Sequence, residues 1–237
     1  MEGIHHIGAA LEAKTTLEAL FYAPDLLTSK YARELVDEAL RRNLPCHAVS
    51  KEVFDSLAEK ENPQGILAVA RQPQHRLADL TPGNFSWGAA VVSPQDPGNV
   101  GAILRTIDAV GADGMILIDE GVDAFHPTAV RASLGAIFRR RVVSTTLNEF
   151  SSWVAEFGYH IYGSSAHGTL DYRDAGPFRR PLILLMGSER EGLRQDQISI
   201  CEAIIRIPMQ GKVTSLNLAV AAGILLYAIW QRLENPV

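Results

Sequence analysis

Pro181-Leu-Ile-Leu-Leu-Met186 runs directly into Gly187-Ser-Glu-Arg-Glu-Gly192-Leu193, and Ala203-Ile-Ile-Arg-Ile207 runs into Pro208-Met-Gln-Gly-Lys-Val-Thr-Ser-Leu-Asn217. Both apolar runs are short and do not alternate with polar residues, the pattern of strands buried on both faces of a parallel sheet. Both stop abruptly in a polar loop that contains glycine. Open α/β sheets bind their ligands beyond the carboxyl ends of the strands. Two neighbouring strands that end this way predict one shared pocket.

The same grammar extends upstream. Ala89–Val92, Gly114–Ile118, Val142–Thr145 and His160–Gly163 read as further strands. Val100–Val110 (stopped by Gly111), Thr128–Ile137 and Leu216–Leu233 read as helices between or after them. Strands alternating with helices give an α/β fold with a parallel sheet covered by helices. Residues 71–86 interrupt this pattern with two prolines, a glycine and little periodicity, and read as a linker. Before it, Thr28–Arg42 is an amphipathic helix with Tyr31, Leu35, Val36, Ala39 and Leu40 on one stripe. With the runs Ala19–Tyr22, Cys46–Val49 and Ile66–Val69 it makes a small α/β module. The expected division is a first domain over 1–72, a linker over 73–86 and a larger domain over 87–237.

Composition narrows the function classes. Of the 237 residues, 47% are hydrophobic and 21% charged, as in ordinary globular proteins. The two cysteines, Cys46 and Cys201, lie far apart in no Cys-x-x-Cys pair, so neither a disulfide framework nor a zinc site is expected and a reducing cytoplasm fits. The longest apolar stretch, Leu218–Trp230, is too short to span a bilayer and reads as a buried helix. A net charge of −5 argues against a nucleic-acid partner, but 12 of the 13 basic residues after position 80 are arginines, whose fork matches phosphate. Arg139-Arg140-Arg141, Arg179-Arg180 and Arg190/Arg194 form local clusters that are equally readable as surface charge paired with nearby acids.

Ser93-Pro-Gln-Asp-Pro-Gly98-Asn99-Val-Gly101-Ala-Ile-Leu-Arg105, followed by Asp119, imitates a dinucleotide site, although its spacing departs from G-x-G-x-x-G and two prolines lengthen the turn. Asn99 in the loop and Arg105 in the first turns of the helix can face one cleft. Gly187-Ser-Glu-Arg-Glu-Gly192 is no G-x-S-x-G nucleophile elbow, and no Ser-His-Asp set emerges. Taken alone, Glu189 reads as an acid at a helix N-terminus, and Thr214 and Ser215 as caps of the last helix.

Taken together, these segments resemble the three ordered motifs of the SpoU (TrmH-like) RNA ribose 2′-O-methyltransferases of the SPOUT superfamily. Asn99, Gly101 and Arg105 match the first; Gly187, Ser188, Glu189, Gly192 and Leu193 the second; Ile207-Pro208-Met209, Gly211, Val213 and Ser215-Leu216-Asn217 the third. The first module looks like the family's L30e-like RNA-binding domain. The resemblance implies S-adenosylmethionine (AdoMet) as methyl donor, a ribose hydroxyl of ribosomal or transfer RNA as acceptor, and no metal. It implies a deep trefoil knot over roughly 187–230 and a homodimer formed through that region, where an unknotted chain is the general rule. It assigns the chemistry to Asn99, Arg105, Glu189, Ser215 and Asn217, and cofactor binding to Ser165, Gly187, Ile207, Met209 and Leu216. A nicotinamide oxidoreductase and a non-catalytic RNA-binding protein are the competing readings.

Overall fold

The computed structural model describes residues 1–59 and 62–233, and the chain divides into two compact units, Met1–Pro73 and Gln74–Val237. The first unit contains helix α1 (Ile4–Glu12), strand β1 (Leu17–Tyr22), helix α2 (Lys30–Arg41), strand β2 (Cys46–Ala48), helix α3 (Lys51–Leu57) and strand β3 (Ile66–Ala70). Its sheet has the order β2-β1-β3, with β1 parallel to β2 and antiparallel to β3. The stripe read on α2 is real: Ala32, Leu35, Val36 and Ala39 close over Leu20, Ile66 and Ala68, joined by Ile7 and Leu11 of α1. Tyr31 and Leu40, placed on the same stripe by the sequence, remain exposed.

The second unit runs β4 (Trp87–Val92), α4 (Pro97–Ala109), β5 (Gly114–Ile118), α5 (Pro127–Ala132), β6 (Arg141–Thr145), α6 (Leu147–Phe157) and β7 (His160–Ser164). It continues through β8 (Leu170–Asp171), β9 (Leu182–Met186), α7 (Gln195–Ile198), β10 (Ala203–Arg206) and α8 (Leu218–Arg232). The seven-stranded sheet has the order β6-β5-β4-β9-β7-β10-β8, and every pairing in it is parallel. All residues of β4, β5 and β9 are buried, as their unbroken apolar runs require.

Several expectations need correction. The expected helix over 128–137 is broken: Leu134 and Gly135 adopt positive φ and split it into α5 and a short 3₁₀ turn at Ala136–Phe138. β9 and β10, read as neighbours, flank β7 instead. Most of the expected linker is structural. Leu77, Leu80 and Phe85 enter the core of the second unit, the Trp153 indole N–H donates to the Leu80 carbonyl at 2.9 Å, and the Tyr159 hydroxyl donates to the Phe85 carbonyl. Two prolines and a glycine signal irregular backbone, which here is buried and hydrogen-bonded rather than loose. The last four residues of the expected second domain lie outside the described residues.

Gly101 shows how the sequence sets helix packing. A Cβ there would overlap the Ala129 carbonyl oxygen and lie 2.6 Å from the Ala132 Cβ, so only glycine lets α4 and α5 approach this closely.

Candidate active site

Because the sheet is parallel throughout, the loops after its strands gather at one edge. Strand order makes Gly187, Ser165 and Ile207 follow three adjacent strands, β9, β7 and β10, with Met186 opposite Ser164 and Ser164 opposite Ile205. The strand between the two quoted runs thus supplies the middle member of the cofactor set implied by the resemblance. Ser165 begins a tight turn: its Oγ accepts from His167 N at 3.2 Å and its carbonyl from Gly168 N at 3.1 Å.

Gly187 opens a second turn closed in both directions between Ser188 and Gly192, N–H to carbonyl, at 3.2 and 3.0 Å. A Cβ on Gly187 would overlap the Gly192 carbonyl and lie 2.5 Å from Leu193 N. Any side chain at 187 would force this turn open. Its tip carries Glu189 and Arg190, so Glu189 belongs to a turn and not to a helix N-terminus as its sequence context had suggested.

Residues 208–216 form the third loop, and among the described residues they make no backbone hydrogen bond. Buried or ligated backbone must be paired, so this exposed run offers a row of amides and carbonyls to a bound molecule. Ile207 and Met209 are half-buried at its start, and Leu216 is exposed near its end.

The segments that follow β4, β9 and β10 are joined by one chain of hydrogen bonds with a fixed direction. Asn217, not Thr214 or Ser215, caps α8: its Oδ1 accepts from Ala219 N at 2.9 Å and Val220 N at 3.3 Å. The Asn217 amide nitrogen must therefore face outward, and it donates to Asn99 Oδ1 at 3.0 Å. Asn99 in turn donates through Nδ2 to Glu189 Oε1 at 3.2 Å. The Gln95 backbone N–H completes the set, donating to the Glu189 carboxylate at 3.2 Å. The helix N-terminus fixes one amide, that amide fixes the next, and the carboxylate receives the last.

Asn99 was read as a loop residue. It lies in the first turn of α4, which begins at Pro97 because proline is well placed there, and is only 7% exposed. Gln95 was missed, because its contribution is a backbone N–H that its side-chain type does not announce. Ser215 is exposed and makes no hydrogen bond within the described chain.

The arginine clusters separate into two kinds. Arg139 and Arg140 both clamp Asp108 at 2.7 Å, and Arg141 donates to the Asn84 carbonyl at 2.8 Å. Burial alone would raise the Asp108 carboxyl, but the two guanidiniums outweigh it and hold it below the ordinary aspartate range. Arg194 pairs with Asp196 at 3.3 Å. By contrast Arg105, Arg190 and Lys212 are exposed and have no intramolecular ion-pair or hydrogen-bond partner among the described residues.

The dinucleotide reading fails on geometry. The N-terminus of α4, where a pyrophosphate would sit, is already capped by the Asp96 carboxylate, which accepts from Gly98 N at 2.7 Å. Asp119, the acid expected to hold a ribose, instead accepts from Leu147 N at 2.9 Å and faces Arg194 at 3.9 Å. Among the described residues no cluster of His, Cys, Asp or Glu could hold a metal ion, and no helix is long and apolar enough to cross a membrane.

Comparison with known proteins agrees with this geometry. Residues 1–76 match the family model for RNA 2′-O ribose methyltransferase substrate binding. The chain is 32% identical to the 23S rRNA (uridine(2479)-2′-O)-methyltransferase of Streptomyces viridochromogenes, over 98% of this chain and 83% of the relative. It is 29% identical to the 23S rRNA (guanosine(2553)-2′-O)-methyltransferase RlmP of Bacillus subtilis, over 96% of this chain and 86% of the relative. The AdoMet-bound rRNA methyltransferase of Sinorhizobium meliloti superposes with a TM-score of 0.87 at 30% identity, covering 99% of this chain and 87% of that one. Residues 89–227, which hold the whole hydrogen-bonded chain and all three loops, match the SpoU rRNA methylase model, and the protein belongs to that family.

Proposed function

We infer that this protein is an RNA methyltransferase that moves a methyl group from AdoMet to a ribose 2′-hydroxyl of ribosomal RNA. The observation that carries the reading is the directed chain Asn217–Asn99–Glu189, which ties together the segments after β4, β9 and β10, with Arg105 on the same helix as Asn99 and unpaired among the described residues. The residues fit AdoMet: Ser165, Gly187 and Ile207 end three adjacent strands, and the unpaired backbone from Met209 to Leu216 can hydrogen-bond a purine and a carboxylate. When bound, AdoMet supplies an electrophilic methyl group on a sulfonium.

The protein must align a poor nucleophile in line with that methyl and ease loss of its proton. A guanidinium stays protonated near neutrality and cannot take that proton. Arg105 therefore acts as a fork, gripping the ribose oxygen and the adjacent phosphate as charge develops. Glu189 is occupied as the acceptor of two N–H groups, which suits it to holding Asn99 rather than to acting as a base, so the hydroxyl proton passes to solvent water as the methyl group leaves the sulfonium. Ser215, lacking any partner among the described residues, is available to meet substrate. The first unit serves as the RNA-binding domain.

A homodimer belongs to the same proposal. α8 buries Leu218, Ala222, Leu225, Leu226 and Ile229 yet leaves Val220, Tyr227 and Trp230 about half exposed on a second stripe. A second copy covering that stripe accounts for a helix that is apolar on two sides. The knotted path of residues 187–230, which follows from the resemblance, and a cytoplasmic setting, which follows from the two separated cysteines, complete the proposal.

Isothermal calorimetry against AdoMet and NAD, with methyl transfer to ribosomal RNA measured alongside, tests this reading. AdoMet binding, no NAD binding, and transfer that survives EDTA once RNA folding is controlled are expected. NAD binding without AdoMet binding, or activity lost to EDTA and restored by a divalent ion, would contradict it.

A further inference from the structure

The first unit offers RNA two different surfaces. α2 and the residue that caps its end carry four cations, and each is already engaged. Lys30 pairs with Glu34 at 3.5 Å, Arg33 donates to the Leu27 carbonyl at 3.0 Å, and Arg41 and Arg42 both pair with Glu38 at 2.6 and 2.7 Å. Arg42 also donates to the Leu11 carbonyl at 2.7 Å. These side chains hold the module together and are poorly placed to hold phosphates.

The other surface is one side of the sheet. Side chains alternate across a strand, so Leu20, Cys46, Ile66 and Ala68 face α1 and α2, while Ala19, Phe21, His47, Leu67 and Val69 share the opposite side. Phe21 and His47 are direct register partners across β1 and β2, and their rings stack with centroids 5.1 Å apart and planes 27° from parallel. His47 is exposed and Val69 is 47% exposed. Lys51, also exposed, opens α3 four positions after His47. An exposed imidazole backed by a second ring is an unusual use of an edge strand, where a polar or branched residue would suffice for the ladder.

We propose that the Phe21–His47 pair is a stacking platform for one unpaired base of the RNA substrate, flanked by the apolar surface of Leu67 and Val69. RNA is read mainly where bases are splayed out of a helix and stacked on aromatic side chains, histidine included. Stacking tolerates any base because each presents a π-face. None of the five residues on this side is acidic, so the surface does not repel the backbone that would carry the base. The inference rests on the reading that the chain acts on RNA, and it assigns the recognition to the sheet instead of to the basic helix.

Fluorescence anisotropy of the full-length protein, with a labelled RNA hairpin bearing an adenine-rich loop and a fully paired duplex of the same stem, tests it. His47→Ala and Phe21→Leu should each weaken hairpin binding roughly five- to a hundredfold, the cost of losing one stacked base. His47→Phe keeps a stacking ring and should stay within about threefold of wild type. Duplex affinity should be unchanged throughout, and wild-type AdoMet affinity and melting temperature in each variant show that the fold is intact. Wild-type hairpin binding by both His47→Ala and Phe21→Leu, or an equal loss for His47→Phe and His47→Ala, would overturn the platform. If the wild-type protein methylates RNA while those results hold, the platform alone is wrong; if it neither binds nor methylates RNA, the functional reading fails with it.

Discussion

Helix α2 in the first unit and the strand-end rim of the second both look basic, but their cations do different things. On α2, Arg41 and Arg42 share Glu38 and Lys30 meets Glu34, so a phosphate would compete with a carboxylate one turn away. Exposed pairs of this kind contribute little stability, yet each carboxylate offsets one of the positive charges that an RNA backbone would feel. In the second unit, Arg190 and Lys212 on the strand-end loops and Arg105 on α4 have no such partner among the described residues. On the proposed function, a protein of net charge −5 holds RNA through these few unneutralised cations. Counting lysines and arginines along a sequence does not find that place; pairing does.

The comparison assumes that the two units fold separately with their border at residues 73–74, and this gives the largest expected effect. A fragment starting at Gln74 should fold and bind AdoMet. One starting at Phe85 loses Leu77 and Leu80 from the core and leaves the Trp153 indole without its acceptor. Deleting one buried leucine side chain costs about 2–5 kcal/mol, so the shorter fragment should be less stable by roughly 4 kcal/mol or more in urea unfolding. Equal stability would mean that residues 74–84 are a linker after all.

Asn217→Asp probes the rim itself. Aspartate caps a helix as well as asparagine does, so α8 should keep its stability within about 0.5 kcal/mol. The outward amide, however, becomes an acceptor facing Asn99 Oδ1, now 3.0 Å away across a hydrogen bond. Methyl transfer should fall about tenfold or more, the rate equivalent of about 1.4 kcal/mol. Unchanged turnover would show that the directed chain has no part in catalysis.

The smallest effect separates the two basic regions directly. Each phosphate contact to single-stranded nucleic acid contributes about 0.7 to the slope of log affinity against log salt. Arg190→Gln with Lys212→Gln should lower that slope by about 1.4, whereas Arg41→Gln with Arg42→Gln should leave it unchanged. The reverse pattern would move the RNA onto α2.

Much of this was legible in the sequence for a physical reason. Strands β4, β5 and β9 are buried on both faces, and an unbroken apolar run of five or six residues bounded by turn residues is the pattern such strands leave. Helix α6 was readable but overlooked: Thr146 and Glu149 form a capping box, and Gly158 ends the helix at positive φ. The two-residue β8 has too little sequence to signal anything. The order β9-β7-β10 was not readable, because apolar runs record burial and not which strand lies beside which. The choice of Asn217 over Thr214 and Ser215 as cap was equally hidden, since all three can cap a helix and the bond to Asn99 decides between them. Residues 77–85 were misread because proline and glycine report backbone shape, whereas burial here is set by the partners Trp153 and Tyr159.

The central claim is that Arg105, on the same helix as Asn99 of the hydrogen-bonded chain, orients the RNA ribose hydroxyl for methylation while AdoMet binds the strand-end loops. Transfer of labelled methyl groups to 23S ribosomal RNA, measured with AdoMet affinity for wild type, Arg105→Ala and Arg105→Lys, tests it most directly. The account predicts that Arg105→Ala loses transfer by roughly a hundredfold or more, the scale of removing one group that stabilises developing charge. Arg105→Lys should be nearly as poor, because a point charge cannot replace the fork, and both should bind AdoMet within a few fold of wild type. Loss of AdoMet binding in parallel with activity, or near-normal transfer by Arg105→Ala, would contradict it.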